Sequence, residues 1–267
     1  MKRELQIAIQ SAILAGEKIL EIYDDPQSDF GIERKADNSP LTKADKAAHI
    51  QIVELLDQLQ IPVLSEEGRS IPYAERKGWN RLWIVDPLDG TKEFIKRNGE
   101  FTVNIALVEG GEPTLGVIYI PVTRELYYAD REEGAFKVAD IKVDELVCDI
   151  EKRAVKLPLK REHDSYRVVA SRSHLSQQTS DFIESIRFEH PNIELVSKGS
   201  SLKICLVAEG SAEVYPRYAP TMEWDTAAGD AILRATGKVL VRAEDGENLE
   251  YNKEDLLNPY FVTKETI

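Results

Sequence analysis

The sequence predicts a layered fold of the α+β to α/β kind, in which helices cover sheets. Three observations carry that expectation. A helical hydrophobic pattern opens the chain, short β-rich runs crowd the stretch after residue 82, and strand and helix patterns alternate from about residue 165. The two kinds of element separate by period, because apolar residues recur every three to four positions on a helix face and every second position on a half-buried strand.

Over residues 4–23, Leu5, Ile9, Ala12, Ile13, Gly16, Ile19, Leu20 and Tyr23 share one face, and Asp24-Asp25-Pro26 stops the pattern. A polar loop over 29–40 leads to a second helix that starts near Thr42 and ends before Pro62, with Ala48, Ile52, Leu55, Leu56 and Leu59 as its buried stripe. The apolar run 61–64 is a short strand. The runs 82–85, 102–108, 115–120 and 126–129 then make a mostly antiparallel sheet, with Glu109-Gly110-Gly111-Glu112 as a hairpin turn. In the second half the expected order is strand 167–170, helix 174–187, strand 193–196, helix 201–209, strand 212–215, helix 224–236 and strand 239–241. The polar stretch 157–164 is the weakest link, so a lobe at 1–160 and a lobe at 161–267 are expected within one body.

Composition narrows the function. The chain has 267 residues, 42% of them hydrophobic, which suffices for a real core and sets disorder aside. No apolar run approaches the roughly 20 residues that span a bilayer, and Met1-Lys2-Arg3-Glu4 leads into an amphipathic helix. The expected location is cytoplasmic, with peripheral membrane association left open, and the oligomeric state is open between monomer and homodimer. Cys148 and Cys205 lack CxxC spacing, and His49, His163, His174 and His190 lack metal-ligand spacing, so any metal must be held by oxygen. With 34 Lys and Arg against 47 Asp and Glu, the net charge of -13 repels nucleic acid, and no nucleic-acid partner is expected. A small phosphate ester meets the same repulsion unless divalent cations reverse the field inside its site.

The segment Trp83-Ile84-Val85-Asp86-Pro87-Leu88-Asp89-Gly90-Thr91 meets that condition. A buried strand runs into a tight turn set by Pro87 and Gly90, so Asp86 and Asp89 converge while the Leu88 carbonyl turns inward, an oxygen-only set of the kind hard divalent cations favour. Glu66-Glu67 closes the strand 61–64, and Asp225 opens the helix 224–236. Each has a plain structural alternative. The turn acids also read as solvent-facing, Asp225 as a helix-dipole charge, and Asp45 as the capping-box partner of Thr42. In a catalytic role Asp45 is instead a base for a water nucleophile, with Thr91 orienting the proton.

The combination of Lys35-Ala36-Asp37-Asn38-Ser39-Pro40-Leu41-Thr42-Lys43-Ala44-Asp45, Ser65-Glu66-Glu67, Asp86-Pro87-Leu88-Asp89-Gly90-Thr91 and Trp224-Asp225-Thr226-Ala227-Ala228-Gly229 resembles the magnesium-dependent, lithium-sensitive phosphatase superfamily that includes inositol monophosphatases. The resemblance covers essentially the whole chain and implies an αβαβα sandwich. Lys92-Glu93-Phe94, Phe101-Thr102-Val103-Asn104-Ile105-Ala106-Leu107, Ser171-Arg172-Ser173-His174, Gly199-Ser200-Ser201-Leu202-Lys203 and Tyr215-Pro216-Arg217 look most like the CysQ-type 3'(2'),5'-bisphosphate nucleotidases.

By that resemblance Glu66, Asp86, Asp89, Asp225 and the Leu88 carbonyl are expected to bind two or three magnesium ions. Asp45 and Thr91 are expected to activate water. The substrate is expected to touch Glu66, Leu88, Asp89, Gly90, Thr91 and Asp225 around the scissile phosphate. Its second phosphate would lie near Ser200 and Lys203, with His174 and Arg217 close by. Glu67 is expected to stand behind the ligands, and Asp37 beside a further cation. The implied reaction is hydrolysis of adenosine 3',5'-bisphosphate to AMP and phosphate, extending to its 5'-phosphosulfate analogue in sulfur assimilation. An inositol or sugar phosphate phosphatase on the same metal core, and an inactive metal or nucleotide sensor, are the alternatives. For Gly199 to Lys203 the plain reading is an ordinary helix start with a solvated lysine.

Overall fold

In the structure, a computed structural model that describes residues 1–35, 39–160, 164–170 and 176–265, the opening pattern folds as α1 (Arg3–Tyr23). The strands β1 (Glu33–Arg34) and β2 (Pro40–Leu41) form an antiparallel pair before α2 (Lys43–Leu56). Then follow β3 (Val63–Ser65), α3 (Tyr73–Arg76), β4 (Arg81–Asp89), α4 (Thr91–Ile95), β5 (Thr102–Glu109), β6 (Glu112–Ile120), β7 (Glu125–Asp130), β8 (Gly134–Val138), α5 (Val147–Lys152) and β9 (Val155–Lys156). The second half contributes β10 (Tyr166–Val169), α6 (Gln177–Ile186), β11 (Ile193–Val196), α7 (Leu202–Ala208), β12 (Pro216–Arg217), α8 (Glu223–Arg234), β13 (Lys238–Arg242) and β14 (Phe261–Glu265).

The central sheet has seven strands in the order β3-β4-β5-β6-β7-β8-β9, antiparallel except for the parallel pair β3/β4. Both of its faces are covered, which explains why β4 and β5 read as nearly continuous apolar runs. Trp83, Val85, Val103, Ile105 and Leu107 pack with α1 and α2, whereas Leu82, Ile84, Ala106 and Val108 pack with α7 and α8. Beyond α7 and α8 lies a second sheet, the antiparallel β12-β14-β13, to which the parallel pair β10/β11 is joined by the bridge Val168↔Val214. Ile183 of α6 closes its outer side against Val168, Val214 and Val262. Five layers, αβαβα, result, as the family resemblance implies.

Two small-residue contacts set the position of α8. A Cβ on Gly116 of β6 would lie 2.4 Å from the Ala228 oxygen and 2.7 Å from the Ala231 Cβ, and one on Gly229 would meet Ile204 of α7. The helix therefore lies closer to the sheet than ordinary side chains allow, and its first turn arrives beside the end of β4. The expected strand 212–215 is corrected. The amides of Ser211 and Ala212 both donate to the Leu206 oxygen, at 2.9 and 3.1 Å, closing α7, so only Val214 bridges and the regular pairing starts at Pro216. Among the described residues no helix is long and apolar enough to cross a membrane.

Candidate active site

The acidic turn owes its geometry to one extra residue. Asp86 pairs with Asn104 and Asp89 with Thr102, so β4 spends three steps where β5 takes two. Residues three apart on a regular strand point to opposite faces, and the bulge returns both carboxylates to the same side. Pro87, which lacks an amide donor, sits at the irregularity, where no ladder bond is lost. Because β3 runs parallel to β4, Glu66 emerges at the same end, its amide donating to the Val85 oxygen at 3.1 Å.

Asp225 arrives from the other direction, on the first turn of α8, where its Oδ2 accepts from the Met222 amide at 2.8 Å. Carboxylate oxygens of Asp86, Asp89 and Asp225 all lie within 4.8 Å of one another. Asp86 is 1% exposed, and one of its oxygens accepts from the Leu88 amide at 3.0 Å. Each carboxylate thus has one oxygen fixed by the fold.

Crowding of like charge shows in the proton affinities. Burial, then the charges of Glu66, Asp89 and Asp225, push the Asp86 carboxyl well above its ordinary range. Burial and Asp89 raise Asp225 to about 8, and burial raises Glu66 despite the nearby Lys35 ammonium. Lys35 bridges Glu66 and Glu67 at 2.7 and 2.5 Å, a role its place in the sequence does not mark.

Asp45 does two jobs with two oxygens. Its Oδ2 accepts from the Thr42 amide at 2.7 Å and hydroxyl at 2.5 Å, completing the capping box of α2. Its Oδ1 accepts from the Thr91 hydroxyl at 3.1 Å, which also lies 3.3 Å from the Leu88 oxygen. The capping and the catalytic expectations are compatible. Burial, opposed by the Thr42 bonds, raises the Asp45 carboxyl above its ordinary range and so favours its uptake of a proton.

A cavity of about 370 Å³ opens from Asp89 and Asp225 toward Lys198, Lys203, Tyr215 and Arg217. Lys203 Nζ donates to the Lys198 oxygen at 3.3 Å and lies 5.9 Å from the Tyr215 ring centre. Arg217 Nε is buried with no hydrogen-bond partner among the described residues. Ser200, in the left-handed region at φ 51°, directs its hydroxyl to Asp89 Oδ2 at 2.6 Å. Gly90, at φ 95°, lines the same wall. His174 and Asp37 lie outside the described residues.

This fold and this acidic, partly basic-walled site define a class: residues 1–265 match the inositol monophosphatase family, and the chain belongs to it. Among its relatives, the 3'(2'),5'-bisphosphate nucleotidase CysQ of Salmonella typhimurium is 46% identical over 260 residues, which cover 96% of this chain and 98% of the relative. That of Escherichia coli K12 is 45% identical over 255 residues, covering 94% and 96%. The crystal structure of CysQ from Bacteroides thetaiotaomicron superposes with a TM-score of 0.90 at 56% identity, covering 98% of this chain and 96% of that one. The suppressor protein suhB of Bartonella henselae shares the fold at 23% identity, with a TM-score of 0.74.

Proposed function

We propose that this chain is a cytoplasmic, magnesium-dependent phosphomonoesterase that hydrolyses the 3'-phosphate of adenosine 3',5'-bisphosphate. The observation that carries this is the convergence of Asp86, Asp89 and Asp225, the last two lining a cavity that Lys203 and Arg217 also line. The nucleotidase relatives support the choice of substrate.

The residues fit a hard divalent cation: the donors are oxygens only, they are crowded, and Asp86 among them is buried away from solvent. Glu66, Asp86, Asp89, Asp225 and the Leu88 carbonyl would hold magnesium, in two or three ions. When bound, magnesium supplies Lewis-acid charge to the phosphate and leaving oxygens and acidifies the attacking water. The Thr91 hydroxyl orients that water, and Asp45 Oδ1, which already accepts from Thr91, takes the proton. Gly90, which lines the cavity beside Asp89, is assigned to the scissile phosphate. Lys203 and Arg217, with Ser200 shaping the wall and His174 assigned from its motif alone, receive the second phosphate. The lobe at 1–160 thereby provides most of the metal ligands, and the lobe at 161–267 provides Asp225 and the nucleotide contacts.

The test is phosphate release from adenosine 3',5'-bisphosphate and from inositol monophosphate, with magnesium and with chelator. Release that requires magnesium, with the higher kcat/KM for the bisphosphate, is expected. Equal or better use of inositol monophosphate would overturn the substrate, and undiminished release in chelator would overturn the metal.

A further inference from the structure

Two polar side chains interrupt an otherwise apolar face of β5. Thr102 and Asn104 are 0% and 1% exposed and point to the same side as Ala106 and Val108, which pack under α7 and α8. Burying a hydroxyl and a carboxamide there is unfavourable unless their hydrogen bonds are satisfied, and here they are satisfied toward Asp89.

Four hydrogen bonds converge on Asp89 Oδ2: from the Ser200 hydroxyl at 2.6 Å, the Ser201 amide at 2.7 Å, the Ser201 hydroxyl at 2.6 Å and, more weakly, Asn104 Nδ2 at 3.4 Å. Asp89 Oδ1 has no hydrogen-bond donor among the described residues. Ser201 has a single hydroxyl proton and two acceptors in reach, Asp89 Oδ2 and the Asp225 oxygen at 3.0 Å. Asn104 Nδ2 donates to that same hydroxyl at 2.9 Å, so the Ser201 proton is turned away from Asn104 and toward the carboxylate. The amide is held this way round because its Oδ1 accepts from the Thr102 hydroxyl at 2.9 Å. Thr102 Oγ1 also lies 2.7 Å from the Ser200 hydroxyl, itself one of the donors to Asp89 Oδ2.

We propose that Asn104, oriented by Thr102, is a positioning residue that acts through Ser201 to keep Asp89 Oδ2 saturated with donors and Oδ1 presented to the metal centre. The proposal rests on reading the Asp86, Asp89 and Asp225 cluster as that centre. Groups behind a metal ligand set its orientation and charge, and losing one typically weakens metal binding by about 10- to 100-fold.

The test is manganese affinity of the full chain without substrate, read from the electron paramagnetic resonance of free manganese, with melting in chelator as the check on folding. Asn104→Leu keeps the volume and removes both hydrogen-bonding ends, and it is expected to weaken manganese binding by about 10-fold, at the low end of that range. Because Asn104 acts through Ser201, its effect should shrink in a Ser201→Ala background, giving a non-additive cycle. At saturating metal the KM for the bisphosphate should be unchanged, which separates positioning of a ligand from damage to the nucleotide pocket. Thr102→Val carries the same test should Asn104→Leu fail to fold, with a smaller loss in the same direction. Wild-type affinity in a folded variant, or losses that simply add, would overturn the proposal. Absence of manganese binding by the unmodified protein would instead bring down the metal-centre reading beneath it.

Discussion

At the scale of single residues, the aspartates of the candidate site, Asp45, Asp86, Asp89 and Asp225, each commit an oxygen to the fold. Asp45 caps α2 with Oδ2 and faces Thr91 with Oδ1, and Asp225 closes the first turn of α8 while adding its charge to Asp86 and Asp89. Lys203 is half-buried against Tyr215 and its ammonium is made less favourable by burial, so a bound anion has a charge to compensate. Lys203→Ala should lower kcat/KM for adenosine 3',5'-bisphosphate by about 10- to 150-fold, the value of a hydrogen bond to a charged group, and change a substrate with only the scissile phosphate little. Parallel kinetics on the two substrates checks it; equal losses would point to general damage. The acidic turn was legible in the sequence because Pro87 and Gly90 mark the bend that brings Asp86 and Asp89 together, and the family resemblance, not the turn alone, set it apart from a solvent-facing turn. Lys35 and Asn104 were not legible in these roles, since a lysine in a polar loop and an asparagine inside a strand carry no mark until the chain brings Glu66 and Ser201 beside them.

At the scale of elements, the site exists because three of them end together. The parallel pairing of β3 with β4 aligns Glu66 with Asp86, the bulge in β4 aligns Asp86 with Asp89, and the close seat of α8 on β6 brings in Asp225. That seat gives a prediction. Gly116→Ala places a Cβ 2.4 Å from the Ala228 oxygen, so α8 must shift, at a cost of about 1–3 kcal/mol in unfolding free energy. Urea denaturation should show the loss, and manganese affinity should fall with it because Asp225 moves; lost stability with unchanged affinity would mean that α8 tolerates the shift. Long periodic segments such as α1, α2 and β4 to β7 were legible, because burial on fixed faces writes itself into hydropathy. The strand expected at 212–215 was not, because the closure of α7 by the Ser211 and Ala212 amides is a hydrogen-bond choice that hydropathy does not register. β9 has only two residues, too few to show a period, and β8 and β14, five residues each, show no two-residue alternation in burial, so hydropathy does not mark them.

At the scale of the whole molecule, a chain of net charge -13 concentrates buried carboxylates at one point and so couples its stability to cations and protons. Asp225 has a folded-state pKa of about 8, far above its unfolded value of about 3.9. Between those values the folded chain binds more protons than the unfolded one, so this group makes stability fall as pH rises, and the upward shifts of Asp86 and Glu66 act in the same direction. A cation that takes the place of those protons should reverse the effect. The rise in Tm on replacing chelator with magnesium should therefore be larger at about pH 8 than at about pH 5.5 by differential scanning calorimetry, and an equal rise at both would contradict the linkage. The central claim, that the end of β4 is a metal centre, is tested most directly by anomalous diffraction from crystals grown with manganese. Anomalous peaks are expected within coordination distance of the carboxylates of Asp86, Asp89 and Asp225, with the Leu88 carbonyl and Glu66 facing them; manganese found only elsewhere, with that cluster empty at saturating metal, would contradict the assignment.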